Sequence, residues 1–533
     1  MDNRRLLPEG TSWAHVRAGF AWDVPARFNI ARACCDSWAE DDPTRTALID
    51  ASDADRVWTY GELRDASDRL ATVLRGHGVG RGDVVAVILP QGAPVLITHF
   101  AAYKVGAIIL PLFSLFGADA LHYRLSDSST RLVVTNGEGA AKLDGIRGDL
   151  PDLGAVVRVD QDGGFWDRIA QAAPIEAPVD TNADDPAVLI YTSGTTGAPK
   201  GVLHAHRFLI GHLTAIEVQH RMFPQPRDCG WTPADWAWIG GLMDLAMPCL
   251  YYGVPLVSMR MRKFDPAAAW DLIARHNVRN LFLPPTALKM MRQAPVPAGV
   301  DIRSITSGGE ALGAELLTWG RTALNVEISE IYGQTECNLV LASVPGMMDT
   351  RPGAMGRAVP GVEVQVQGPD GTPMPAGETG EICVRRDTPV AMLRYLNKPE
   401  DTARKYRGEW LLTGDLGWDD GTGLITFVAR DDDVITSAGY RIGPAEIEDC
   451  LLSDPDVLMA AVVGLPDPER TEIVVAHVVL RDGAAWQGAE ARLIALVKER
   501  ISPHVAPRRV VRADSLPMTA TGKVLRRELR DKG

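Results

Sequence analysis

The chain has 533 residues, 46% hydrophobic and 23% charged, which is too long for one ordinary core, so two or more domains are expected. Lys and Arg number 55 against 68 Asp and Glu, a formal net charge of −13. That balance argues against a nucleic-acid binder, whose footprint is normally a basic face, but leaves room for a local basic patch that holds a phosphorylated cofactor.

The opening MDNRRLLPEGTSW shows no apolar run and no small-residue cleavage site, so no signal peptide is expected. From Val84 to Phe113 the chain is apolar, but Pro90, Gln91, His99 and Lys104 interrupt it. It never reaches the roughly 18–20 unbroken apolar residues of a membrane span, so no stable membrane insertion is expected. Buried strands are read at Val84–Leu89, Leu132–Thr135 and Ala187–Thr192. Between strands, Tyr60–Gly76 places Leu63, Ala66, Leu70, Val73 and Leu74 at helical spacing and ends on glycine. After about Pro352, glycine, proline and short alternating runs predict β-hairpins or a small barrel. The charged cluster Arg430–Asp433 breaks the pattern. Beyond it the chain predicts a helix near Gly443–Leu452, strands near Ala460–Val463 and Ile473–Leu480, and a helix near Ala489–Ile501. The expected architecture is α/β. A large N-terminal domain, 1–431, contains β-sheets flanked by helices and a β-rich subdomain at about 352–431; a small C-terminal domain, 432–533, follows, with the charged cluster as linker. The seven cysteines are scattered with no CxxC pair, which fits reduced thiols and a cytoplasmic protein.

The strongest chemical signal is Tyr191–Gly201, YTSGTTGAPKG, which follows the apolar run AVLI. Glycines let backbone N–H groups crowd onto an anion and hydroxyls add donors, which is what gripping a polyphosphate requires. It is not a Walker A loop, because Pro199 stands where that motif needs a glycine before the lysine. Further along come Ser307–Leu312 (SGGEAL), Glu330–Glu336 (EIYGQTE), Thr413–Asp415 (TGD), Arg430–Arg441 (RDDDVITSAGYR) and Pro517–Lys523 (PMTATGK). A carboxylate in the TGD turn is suited to accept from both hydroxyls of a ribose.

These motifs, in this order, resemble the adenylate-forming superfamily that joins acyl-CoA synthetases, adenylation domains of non-ribosomal peptide synthetases and firefly-type luciferases. The chain is most similar to the medium-chain acyl-CoA synthetases. The specific motifs cover the chain from about residue 190 onward; one departure is Ala429, where the family usually has glycine before the hinge arginine. The resemblance implies an ATP-dependent carboxylic acid:CoA ligase that forms acyl-AMP and pyrophosphate, then acyl-CoA and AMP, with ATP, Mg²⁺ and coenzyme A as cofactors.

The same resemblance implies roles for particular residues. Thr192, Ser193, Gly194, Thr195, Thr196, Gly197 and Lys200 hold the phosphates. Gly309, Glu310 and Ala311 line the adenine, with Glu330 in the next nucleotide-binding segment and Tyr332 against the base. Thr335 meets a phosphate and Glu336 binds Mg²⁺. Asp415 holds the ribose with the help of Arg430. Asp432 is the hinge, Gly439 borders the pantetheine tunnel, Arg441 meets the α-phosphate and Lys523 is the catalytic lysine. It also implies that a lysine acetyltransferase acts on Lys523.

For the acid, the resemblance places the pocket at Trp231–Gly241, chiefly Trp238 and Ile239, together with Gly308 and Gly333. Acetate-specific relatives close this pocket with bulky side chains, so two glycines predict a short- to medium-chain acid of roughly four carbons or more. Relatives that activate amino acids place a carboxylate where Ile239 stands, and Asp235 lies four residues earlier. The alternative, an adenylating enzyme that loads a carrier protein, is opposed by Ile239 and Gly439.

Overall fold

The structure is a computed structural model that describes residues 4–10, 12–192, 199–309, 312–351, 353–430, 433–437, 440–467, 470–501, 505–519 and 523–531. The chain divides into two compact units, residues 1–363 with 384–411, and residues 364–383 with 412–533.

In the larger unit, Val84–Ile88 (VVAVI) is buried along its whole length. It pairs in parallel with Ile108–Pro111 on one side and Thr130–Thr135 on the other. Such an unbroken apolar strand belongs inside a sheet covered on both faces. The sheet continues from Thr130–Thr135 to Ala155–Arg158, and from Ile108–Pro111 through Pro186–Thr192 and Lys200–Ala205 to Arg394–Tyr395. Its last two pairings are antiparallel, so the strand before the phosphate-loop motif and the strand after it form one hairpin.

The helix Tyr60–Gly76 begins at a capping box: Thr59 accepts from the Glu62 backbone, and the Glu62 carboxylate accepts from the Thr59 N–H. Leu63, Ala66, Leu70 and Leu74 are its buried face, the stripe that the periodicity predicts. The helix Ala93–Lys104 is instead buried all round. Its terminal Lys104 is placed between Asp36 and Asp68, 2.7 Å from each. Two carboxylates make a fully buried ammonium tolerable.

A second sheet of the larger unit runs in the order Ala354–Ala358, Cys337–Ser343, Ile328–Gln334, Ser304–Gly308, Asn280–Phe282, Gly230–Trp231, Leu256–Ser258, Thr46–Asp50 and Arg56–Thr59. Its middle pairings are parallel. Trp231, Trp270, Leu281, Ile305 and Leu316 form part of the core beside it.

In the smaller unit, Val364–Gln367, Gly380–Arg385, Trp410–Asp419 and Ile425–Arg430 lie side by side in that order. A further sheet contains Tyr440–Ile442, Ile435–Ser437, Thr471–Leu480, Val457–Asp467 and Arg509–Arg512. The helices Pro444–Leu452 and Ala489–Arg500 contribute Ile447, Leu451, Leu493 and Val497 to one core of this sheet. Leu516 and Leu529 belong to a second core with Val463 and Val475. Among the described residues, no helix is long and apolar enough to cross a membrane.

Candidate active site

The phosphate-loop motif begins and ends on the two strands of the hairpin described above. Thr192 pairs with Lys200 and Tyr191 with Gly201 at its mouth. Ser193, Gly194, Thr195, Thr196 and Gly197 lie outside the described residues. The helix Ala118–Asp127 fastens both stems: Tyr123 donates to the Pro199 carbonyl at 2.9 Å, and Tyr191 donates to Asp127 Oδ2 at 2.6 Å. Burial and the Asp127 carboxylate raise the Tyr191 pKa, so the phenol stays a donor. The Lys200 ammonium is 3.3 Å from Asp401 and 5.2 Å from the centre of the Tyr395 ring.

The EIYGQTE motif forms most of the strand Ile328–Gln334 and the turn after it. Glu330 pairs with Ser307 on one side and Ser343 on the other, and its carboxylate accepts from the Leu312 N–H at 3.4 Å. Tyr332, opposite Leu341, is half-buried. The sequence suggests a strand that ends at a glycine turn. The strand instead continues through Gly333 to Gln334, and Thr335 and Glu336 are the two turn residues before Cys337–Ser343. The extra length is absorbed by a register shift between Tyr332 and Gln334 and by Leu339, whose φ is +56°.

The pocket glycines acquire a different reason. A Cβ on Gly333 would stand 2.4 Å from the Leu339 nitrogen, and one on Gly308 would stand 2.5 Å from Ile331 Cγ1 and 2.7 Å from its carbonyl oxygen. Packing between neighbouring strands thus accounts for both glycines, and their presence is no measure of pocket size. Gly309, which follows, has φ +94°, a conformation that favours glycine. Glu310 and Ala311 lie outside the described residues.

Trp238 is half-buried, with its ring 5.8 Å from that of Phe282, and Ile239 is buried at the start of the next helix. Trp231 and Trp236 are core residues. Asp235 accepts from the Ala237 N–H at 2.8 Å, and burial pushes its carboxyl up to about 6.

Glu336 faces a tyrosine that sequence reasoning missed. Tyr395 donates to Glu336 Oε1 at 2.5 Å, and the Met392 N–H donates to the Glu336 carbonyl at 2.9 Å. Burial, then the Glu336 charge, raises the Tyr395 pKa. A single carboxylate suits Mg²⁺, which takes few protein ligands and completes its shell with phosphate oxygens and water. Among the described residues there is no cluster of three His, Cys, Asp or Glu that could hold a metal by itself.

Behind the hairpin lies a second group of residues that the motifs did not reveal. Asn338 donates to His212 Nε2 at 3.0 Å and to Asp244 Oδ1 at 2.5 Å, while His212 Nδ1 contacts the Phe208 carbonyl at 2.7 Å. The carbonyl can only accept, so Nδ1 carries the proton. Burial pushes His212 down to about 4 and raises Asp244 well above the usual carboxylate range. This buried network ties the helix Phe208–Gln219, the π-helical segment Leu242–Ala246 and the strand that follows Glu336.

In the smaller unit, Asp415 is buried and stands directly opposite Arg430 on the adjacent strand. Its backbone N–H donates to Thr413 Oγ1 at 3.0 Å, and the Gly414 N–H donates to Glu381 Oε1 at 3.0 Å. Arg441 pairs with Thr436 through its backbone, but its side chain lies outside the described residues, as do Asp432 and Gly439. Lys523 is exposed. Its N–H donates to Thr519 Oγ1 at 3.0 Å, and its carbonyl accepts from the Thr519 N–H at 2.7 Å. Three residues later Arg526 reaches Asp433 at 3.2 Å and Glu448 at 2.8 Å, and Arg530 reaches Asp433 at 2.8 Å. The segment that follows Lys523 is therefore tied to Asp433 and Glu448.

A two-unit α/β fold with a phosphate-loop hairpin, a Thr-Glu turn and a lysine on the smaller unit defines an adenylate-forming enzyme. The comparisons agree: residues 35–396 match the family described as AMP-binding enzyme, and residues 446–523 match the AMP-binding enzyme C-terminal domain. The chain belongs to this family and is an acyl-CoA synthetase, a class that uses ATP, Mg²⁺ and coenzyme A. It is 31% identical to the human mitochondrial acyl-coenzyme A synthetase ACSM4, over 95% of this chain and 91% of that protein. It is 32% identical to an acetyl-coenzyme A synthetase of Bacillus subtilis, over 97% and 93%. The solved structure of the anthranilate CoA ligase AuaEII with anthranoyl-AMP superposes with a TM-score of 0.87 at 27% identity, covering 96% of this chain and 98% of that one.

Proposed function

We propose that the protein activates a short- to medium-chain carboxylic acid of about four carbons or more as its acyl-AMP, then transfers the acyl group to coenzyme A. The observation that carries the two-step chemistry is the convergence of Lys200, Glu336 and Tyr395 beside the phosphate-loop hairpin. For the acid, the support is that Trp238, Ile239 and Phe282 offer apolar surface.

Attack of a carboxylate on the α-phosphate brings anions together, so the barrier falls where positive charge and donors await the negative charge. Glu336 would hold Mg²⁺, which when bound would neutralise charge on the phosphates. Lys200 and the loop hydroxyls hold the polyphosphate, Thr335 contacts a phosphate, Tyr332 and Gly309 position the adenine, and Asp415 with Arg430 holds the ribose. Arg441 and Lys523 come from the smaller unit, which turns about Asp432 between the two half-reactions so that Gly439 then borders the pantetheine arm. In this scheme the domains are 1–431 and 432–533.

Seven cysteines, all free and buried, support a reducing compartment such as the cytoplasm. Acetylation of Lys523 would remove its charge, and the lysine is exposed to such a modification; mass spectrometry that finds Lys523 unmodified after incubation with a lysine acetyltransferase would remove this reading. The test of the function is pyrophosphate release across straight-chain acids of about two to twelve carbons, benzoate and several amino acids, with and without coenzyme A. The proposal expects a maximum at about four to eight carbons and turnover that needs coenzyme A. A maximum at acetate overturns the acid assignment. Release indifferent to coenzyme A moves the activity to carrier-protein loading.

A further inference from the structure

The 392–405 segment belongs to no motif that suggested the function, yet its contacts converge on site residues. Its two-residue strand Arg394–Tyr395 pairs with Lys200–Ala205, directly after the phosphate loop. The Leu396 N–H donates to the Gly201 carbonyl at 2.7 Å. Met392 and Tyr395 reach Glu336 by backbone and side chain, at 2.9 and 2.5 Å. Lys405 donates to Gln334 Oε1 at 3.1 Å, on the other arm of the same turn. Asp401 pairs with Lys200 at 3.3 Å, and the Tyr395 ring lies 5.2 Å from that ammonium. Tyr395 is itself well held, because it is buried and its N–H donates to Thr402 Oγ1 at 3.0 Å.

We infer that Tyr395 is a positioning residue for the adenylation step: it orients the Glu336 carboxylate toward bound Mg²⁺ while its segment keeps Lys200 facing the phosphates. The inference rests on the reading of Glu336 as the Mg²⁺ ligand. Tyr395 occupies Oε1, so Oε2 is the oxygen presented to the metal, and the carboxylate cannot rotate without losing a charge-assisted hydrogen bond. Removal of the phenol oxygen should therefore loosen the ligand and leave the ring, its packing and its contact with Lys200 in place.

The experiment is equilibrium binding of ATP to the full-length protein, followed by calorimetry while Mg²⁺ is varied, for wild type, Tyr395→Phe and Glu336→Gln. Thermal unfolding of each protein is measured alongside. Loss of one hydrogen bond to a charged group predicts that Tyr395→Phe needs about tenfold more Mg²⁺ for half-maximal effect. Tyr395→His, which retains a polar ring atom, should recover part of the difference. Glu336→Gln should raise the requirement further still. If Glu336→Gln shifts the Mg²⁺ dependence and Tyr395→Phe does not, or lowers it, the positioning role is overturned while the ligand reading stands. If Glu336→Gln leaves the dependence unchanged, the ligand reading itself is wrong and the inference falls with it. A fall in unfolding temperature for Tyr395→Phe without any change in Mg²⁺ dependence identifies a structural residue and overturns the proposal.

Discussion

Lys523 and Gly333 show how differently single residues act in this fold. The Lys523 side chain is exposed, and its backbone closes a turn onto the N–H and the hydroxyl of Thr519. Lys523→Ala is expected to leave stability within about 0.5 kcal/mol of wild type. It should block acyl-AMP formation and largely spare thioester formation from supplied acyl-AMP; equal loss of both half-reactions would refute the assignment. Gly333 is the opposite case. A methyl group there would press on the backbone of Leu339 and Asn338. Gly333→Ala should therefore cost about 1–3 kcal/mol of stability, seen as a lower urea midpoint with no narrowing of acid preference apart from the loss of fold. A narrower acid range at unchanged stability would restore glycine as a measure of pocket size.

At the scale of elements, the regular parts were legible in the sequence because local chemistry determines them. Tyr60–Gly76 has its periodic apolar face and its capping box within one stretch of chain, and the expected bounds match. Val84–Ile88 reads as a strand because it is apolar on both faces. The 328–343 hairpin was harder: Gly333 looks like a turn residue, but its role is set by a bulge on the partner strand, around Leu339. Tyr395, Asn338, Asp244 and Arg526 were missed because their meaning lies in partners far along the chain, from Glu336 for Tyr395, 59 positions away, to His212 for Asn338, 126 away; no local spacing marks them. Arg526 carries a prediction at this scale. It is mostly buried between Asp433 and Glu448, so truncation leaves two carboxylates with one cation fewer. Arg526→Ala should destabilise the smaller unit by about 3 kcal/mol and slow adenylation. Arg527→Ala, whose side chain is exposed and 4.0 Å from Asp531, should change neither by a comparable amount. Equal effects in unfolding and adenylation assays would remove the tether from the account.

For the whole molecule, acid is the condition that the larger unit is built least well to meet. His99, His204 and His220 are buried and pushed down to about 3, and His206 and His212 to about 4, in each case chiefly by burial. Their ordinary value is 6.5, so the unfolded chain takes up protons below that pH while the folded chain does not. The stability they contribute is complete above about pH 6.5 and is lost as pH falls toward their folded values. For His206 or His212 alone the full loss is on the order of 3 kcal/mol. Glu217 acts in the other direction. Burial raises it from 4.5 to about 7 although Tyr252 and the backbone of Leu6 and Leu7 donate to it. Its contribution is present below pH 4.5 and is lost as pH rises through 7. On acidification from pH 7 to 5, five histidines thus oppose the carboxyls that burial raises, among them Glu217, Asp235 and Asp244, and net stability should fall. Glu217→Gln removes one of the opposing groups, so the fall measured by urea unfolding should become steeper in that variant than in wild type. Stability that stays level from pH 7 to 5, or a slope unchanged by Glu217→Gln, would show that these buried groups do not govern the acid response.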